Sequence, residues 1–185
     1  MEKKIKVLTL GDHPLSPSGV GTQTRYVIEA LLKTGKFSVV SFGGAITHND
    51  YQPMKTEQWG DDWKIFPVDG YGTSDQIRSV MRNERPDILW FMTDPRFYGW
   101  LWQMEDEIRP LMPMVYYHVW DNYPYPKFNT KFYDSTDLIV TISKVTDDIC
   151  NTLCEKAEVK HVAHAVNTEI YKPITAEQKR ELREK

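Results

Sequence analysis

The sequence predicts an α/β fold: a Rossmann-like, doubly wound, mainly parallel sheet of about seven strands with helices on both faces. Two observations predict it. Short apolar runs of strand length alternate along the chain with segments whose apolar residues recur at helical spacing. Right-handed crossovers between the successive strands then leave the doubly wound arrangement, and the alternation excludes an all-β or helix-bundle reading.

Ile5–Leu10 is a short apolar strand, and Gly21–Lys33 is a helix with Val27, Ile28, Leu31 and Leu32 on one stripe. Gly35 stands where a left-handed helix end belongs. Phe37–Phe42 is the second strand, followed by Gly43-Gly44; residues 45–63 lack periodicity and read as an irregular excursion. Trp63–Val68 is a third strand. Thr73–Asn83 is a helix with Thr73 or Ser74 as N-cap and Ile77, Val80 and Met81 buried. The continuous apolar run Ile88–Met92 suits a central parallel strand. Phe97–Ile108 reads as an aromatic-rich helix, Met114–Val119 and Leu138–Ile142 as strands, and Ser143 opens a helix to about Glu155. Val159–Ala163 closes the sheet.

These elements make residues 1–174 one domain. Thr175–Lys185 is a charged helical tail with capping-box spacing from Thr175 to Gln178 and almost nothing to bury beyond Leu182.

Composition narrows the class. The formal net charge of -3 offers no general attraction to nucleic acid or to anionic membranes, and no run of like charge forms a binding arm. The start Met-Glu-Lys-Lys-Ile-Lys lacks a signal-peptide pattern, and no apolar stretch is long enough for a transmembrane segment. The 2 cysteines, Cys150 and Cys154, exclude a disulfide scaffold and read as small apolar residues, so the expected location is cytoplasmic.

The long loop between the first strand and first helix raises the first functional question. It has no P-loop lysine after Gly19 or Gly21. Gly11 and Gly19 are too far apart for a dinucleotide turn, and the second strand ends without a ribose-binding acid. No Asp-x-Asp pair is present to hold a metal with a sugar nucleotide, so no metal site is expected. What remains is a wide loop at a helix N-terminus, where Ser18, Gly19, Val20, Gly21 and Thr22 can approach an anionic or polar ligand. The plainer reading is a turn with Ser18 or Thr22 as N-cap.

A second cluster ends the strand at Met114. It places His118, Trp120, Asp121, Asn122 and Tyr123 at the carboxyl edge, where open α/β sheets bind ligands. The alternative is a core histidine followed by an Asp-Asn turn. Asp94 and Ser143 end two neighbouring strands, each as an N-cap or a ligand contact, with the cap favoured. His161 and His164 are three apart on the last strand and so face opposite sides.

Taken together, these segments resemble the N-terminal domain of retaining glycosyltransferases of the GT-B fold, the family-four group. The first strand with its Pro/Ser/Gly-rich loop and amphipathic helix, the strand ending in His118, the segment Asp137–Ser143, and His164-Ala-Val-Asn-Thr-Glu-Ile-Tyr-Lys-Pro173 each resemble motifs of that group. The last is the most specific; Ala165 and Asn167 stand where the family usually has Gly and Asp, which weakens a ligand role for Asn167.

The resemblance implies one half of a GT-B architecture, the acceptor side, whose C-terminal domain is missing from this chain. It implies transfer of a sugar from a nucleotide-activated donor, with retention, to an unknown acceptor. The nucleotide-sugar is a substrate, and no cofactor is implied. Ser18–Gly21 would face the donor diphosphate or the acceptor, and His118 would contact the transferred sugar or the reacting region. No protein nucleophile is implied; catalysis would rest on positioning and charge. The isolated chain would then be inactive. Two other readings stay open. One is a non-catalytic Rossmann-like module binding a nucleotide or a partner, with Phe97–Trp102 as its surface; the other is a GT-B relative such as a sugar-nucleotide epimerase.

Overall fold

The structure is a computed structural model that describes residues 3–120 and 122–184. One sheet of eight strands organises it, in the spatial order β3-β4-β2-β1-β5-β6-β7-β8. In chain order these are β1 (Ile5–Leu10), β2 (Phe37–Gly43), β3 (Met54–Lys55), β4 (Trp63–Pro67), β5 (Ile88–Met92), β6 (Met114–His118), β7 (Leu138–Thr141) and β8 (Glu158–His161). All neighbouring pairs are parallel except β3 with β4, which is antiparallel. The expected doubly wound α/β sheet is what forms. The eighth strand is β3, two residues inside the excursion read as irregular and too short to leave a periodic signal.

The chain reverses its direction of growth between β1 and β5. From β1 it builds outward through β2 and β4, then crosses back and continues outward from β5. The crevice outside the carboxyl ends of those two central strands is the topological switch point of the sheet.

Alternation along the strands separates two cores. Val7, Val39, Trp63 and Ile65 pack on one face against Ile28 and Leu32 of α1 (Gly19–Lys33). Leu8, Leu10, Val40, Phe42, Leu89 and Phe91 face the opposite side. There they meet Ile77 and Val80 of α2 (Ser74–Glu84), Leu101 of α3 (Gly99–Trp102), Ile108 of α4 (Glu105–Ile108), Tyr133 of α5 (Thr130–Asp134) and Cys150 of α6 (Lys144–Leu153). Helices thus cover both faces, unevenly. Where α1 ends its cover, Tyr26, Val27, Trp90, Tyr117 and Val140 line an apolar hollow of about 310 Å³.

The aromatic-rich run read as one helix is broken into a 3-10 turn at Pro95–Tyr98, then α3, then α4. Buried Tyr98, Leu101, Trp102 and Ile108 lie on one helical stripe, but Met104 falls off it. The break at Gln103 turns Met104 inward as well. This segment is therefore mostly core, with Phe97 left outside.

Helix starts follow local chemistry. Ser18, Thr73 and Ser143 each accept a backbone N–H three residues on, and Thr175 with Gln178 forms the capping box of α7 (Ala176–Arg183). Gly35 takes φ of +72° just past α1. Helix α7 is exposed along its length. Burial pushes the Cys150 thiol up to about 12, which keeps it an uncharged core group. Among the described residues no helix is long and apolar enough to cross a membrane.

Candidate functional site

The loops after β1, β2 and β4 are stitched together at the switch point. His13 N–H donates to Gly44 C=O at 2.8 Å, Gly44 N–H to Gly11 C=O at 3.2 Å, and Ala45 N–H to Gly70 C=O at 2.7 Å. This close backbone approach requires glycine. A Cβ on Gly44 would lie 2.4 Å from the Gly70 carbonyl oxygen, and one on Gly43 would lie 2.3 Å from His13 Cδ2. His13 is buried; its Nδ1 accepts the Leu15 N–H at 3.2 Å, so the neutral ring carries its proton on Nε2. Burial, and then the neighbouring His48, push its pKa down.

Asp12 leaves the carboxyl end of β1 and faces the N-terminus of α1. Its carboxylate accepts the Ser18 hydroxyl at 2.6 Å and the Tyr71 hydroxyl at 3.1 Å. Ser18 Oγ also accepts Gly21 N–H at 2.9 Å. The helix end therefore already has a carboxylate beside it, which favours a ligand's hydroxyls there over its phosphates. Gly19 and Gly21, alike in sequence, differ in space: a Cβ on Gly19 meets nothing within 4 Å, whereas one on Gly21 lies 2.6 Å from the His13 carbonyl oxygen. Gly21 serves packing; Gly19, with half-buried Val20 beside it, is open. Thr22 is held in the first turn by its N–H to the Ser18 carbonyl and lines a hollow of about 380 Å³ with Leu15, Arg25 and Asn167.

The loop after β5 is fixed from beneath by three buried aromatic donors. Tyr98 O–H donates to Met92 C=O at 3.0 Å, Tyr116 O–H to Thr93 C=O at 2.6 Å, and Trp102 Nε1–H to Pro95 C=O at 2.7 Å. They hold Thr93 at φ of +119°, a conformation a β-branched residue avoids without such support. The result aims Asp94 out at the edge, where it accepts Arg96 N–H at 2.9 Å and the Arg96 guanidinium at 2.5 Å. Burial raises the Asp94 pKa, but the hydrogen bonds and charge of Arg96 outweigh it and hold the carboxyl below its usual range.

His118 lies inside, with none of its surface exposed. The bond from Tyr116 to Thr93 leaves the Tyr116 oxygen to accept, so His118 Nδ1–H donates to it at 3.0 Å. His118 Nε2 then accepts the Tyr133 hydroxyl at 2.8 Å, and Asn129 donates to Tyr133 at 3.4 Å. Burial depresses the His118 pKa to about 3, partly opposed by Asp94. The ring is thus enclosed, and its hydrogen bonds reach the edge through Tyr116 and the Thr93 carbonyl.

Ser143 Oγ pairs with Thr146 Oγ1 at 2.9 Å, and Thr146 donates to the Trp120 carbonyl at 2.7 Å. Arg96 lies 5.5 Å from the Trp120 ring centroid. Asn122 is exposed on the same loop, and Asp121 lies outside the described residues. The structure thus links Ser18, Asp12, Tyr71, Arg96 with Asp94, Trp120 and Ser143 into one series along the carboxyl edge. Gly21 and His118 support it from below. Sequence reasoning did not single out Asp12, Tyr71 or Arg96. For Asp12 a signal existed: it directly follows the first strand, at the end where ligands bind.

No family model and no curated protein matches the chain by sequence. Solved structures match it by fold. A glycosyltransferase from Rickettsia africae superposes with a TM-score of 0.65 at 14% identity, over 99% of this chain and 49% of that one. A sucrose-phosphate synthase from Thermosynechococcus elongatus superposes with a TM-score of 0.62 at 11% identity, over 97% of both chains. The fold is therefore that of a Rossmann-like half-domain of GT-B type, and the chain spans about half the length of the Rickettsia protein.

Proposed function

We propose that this chain is the acceptor-side half of a cytoplasmic glycosyltransferase that takes a sugar from a nucleotide-activated donor, with retention. In this reading residues 1–174 form the domain, Thr175–Lys185 leads into a C-terminal α/β domain, and the cleft lies between the two. One observation carries the reading: the loops after β1, β4 and β5 converge at the switch point, where Tyr71 donates to Asp12 and stacks on Phe97. The fold likeness to two sugar-transferring enzymes supports it.

Asp12 and Asp94 orient acceptor hydroxyls, and Ser18, Gly19 and Val20 form the wall that faces sugar hydroxyls, with the donor diphosphate left to the second domain. His118 is a positioning residue that sets Thr93 and hence Asp94. Asn122 and Ser143 border the same edge. No side chain here is assigned as nucleophile; rate acceleration comes from holding acceptor and donor in line and from charge.

Calorimetric titration of this chain with UDP-, GDP- and ADP-sugars tests the division of labour. The chain alone is expected to bind them with a Kd of about 1 mM or weaker. Micromolar binding would overturn the reading, because the donor would not then need a second domain.

A further inference from the structure

Aromatic side chains left exposed by folding are concentrated at the carboxyl edge. Phe97 is 54% exposed, Phe128 62% and Tyr123 88%, and all three lie on loops that follow β5 or β6. Phe97 and Phe128 belong to a connected series. Tyr71 stacks on Phe97 with centroids 4.9 Å apart and planes 21° apart. The preceding residue, Arg96, covers Trp120, and Phe128 meets Trp120 edge-on at 5.7 Å. Tyr123 pairs with Tyr125 at 6.0 Å in the same loop.

Carboxylates flank this apolar strip. Asp12 accepts the Tyr71 hydroxyl, and Asp94 holds Arg96. The cation within the strip is thus already paired. Flat aromatic faces beside carboxylates match a pyranose ring, which presents C–H groups on its faces and hydroxyl donors around its rim. Phosphate, sulfate and uronate groups would instead be repelled by the Asp12 carboxylate at the Tyr71 end of the strip.

From this arrangement we propose that the aromatic strip Tyr71–Phe97–Trp120–Phe128 is a binding site for a neutral saccharide, making the acceptor of the proposed transferase a neutral glycan. Its use as an acceptor rests on the transferase reading; its binding does not.

The test is titration of the 185-residue chain, without any sugar nucleotide, with neutral oligosaccharides of glucose, galactose, mannose and N-acetylglucosamine up to six units long. Uronate-containing and sulfated oligosaccharides and an alkyl glycoside are the comparison ligands. At least one neutral oligosaccharide is expected to bind. Phe97→Ala and Phe128→Ala should each weaken that binding about tenfold. Leu111→Ala, exposed away from the carboxyl edge, should leave it unchanged. Because both phenylalanines are exposed, unchanged melting temperatures will certify the fold.

Binding of no neutral oligosaccharide would overturn the proposal. So would preference for the charged or alkyl ligands, or affinity unchanged in both phenylalanine variants. Saccharide binding without sugar-nucleotide turnover by the two-domain protein would sink the transferase reading alone. Turnover with only non-saccharide acceptors would sink this proposal alone.

Discussion

His118 ends β6 with its ring enclosed beneath the carboxyl edge. Its two ring nitrogens are committed to Tyr116 and Tyr133, and the direction of those bonds fixes a neutral Nδ1–H tautomer. The folded pKa of about 3 lies below the ordinary 6.5, so between these values the unfolded chain binds a proton that the folded chain does not. Stability from this group is complete above pH 6.5 and is lost as pH falls toward 3, at about 1.4 kcal/mol per pH unit. Urea unfolding from pH 7.5 to 4.5 should therefore fall less steeply for His118→Gln than for the wild type; equal slopes would refute the buried neutral ring. The loop glycines offer a second contrast. Gly21→Ala forces a Cβ against backbone and should cost about 1–3 kcal/mol, whereas Gly19→Ala should stay within about 0.5 kcal/mol in thermal unfolding. Similar losses at both would show that the two positions are not distinguished as described.

At the scale of elements, the loop after β5 is held by its underside. Tyr116→Phe removes one of three buried donors and leaves the Thr93 carbonyl and His118 Nδ1 without their partner. Chemical denaturation should register a loss of about 1–3 kcal/mol, and a change under about 0.5 kcal/mol would mean that this bond does not fix the loop. Element-level features were legible in the sequence where their causes are local. The caps at Ser18, Thr73, Ser143 and Thr175 were readable because a hydroxyl and the N–H it accepts are three residues apart. The break at Gln103 was not, because Met104 breaks the helical stripe only once the core it must reach is known. Strand β3 exists only by pairing with β4.

At the scale of the whole molecule, the parallel sheet was legible from alternating apolar runs, and so was its carboxyl edge. Which residues meet there was not legible. Asp12 and Tyr71 are separated by 59 residues and join only because two crossovers deliver both loops to the switch point. Arg96 and Trp120 likewise meet across adjacent strands. The central claim is that this edge is the acceptor wall of a sugar-nucleotide-dependent transferase. Its most direct test is release of nucleoside diphosphate from UDP-, GDP- and ADP-sugars by a protein in which the proposed second α/β domain follows this chain. Turnover of at least one donor is expected, with a loss of about a hundredfold in Asp94→Ala as acceptor placement fails and Leu111→Ala unaffected. Absence of turnover with every donor, or full activity in Asp94→Ala, would contradict it.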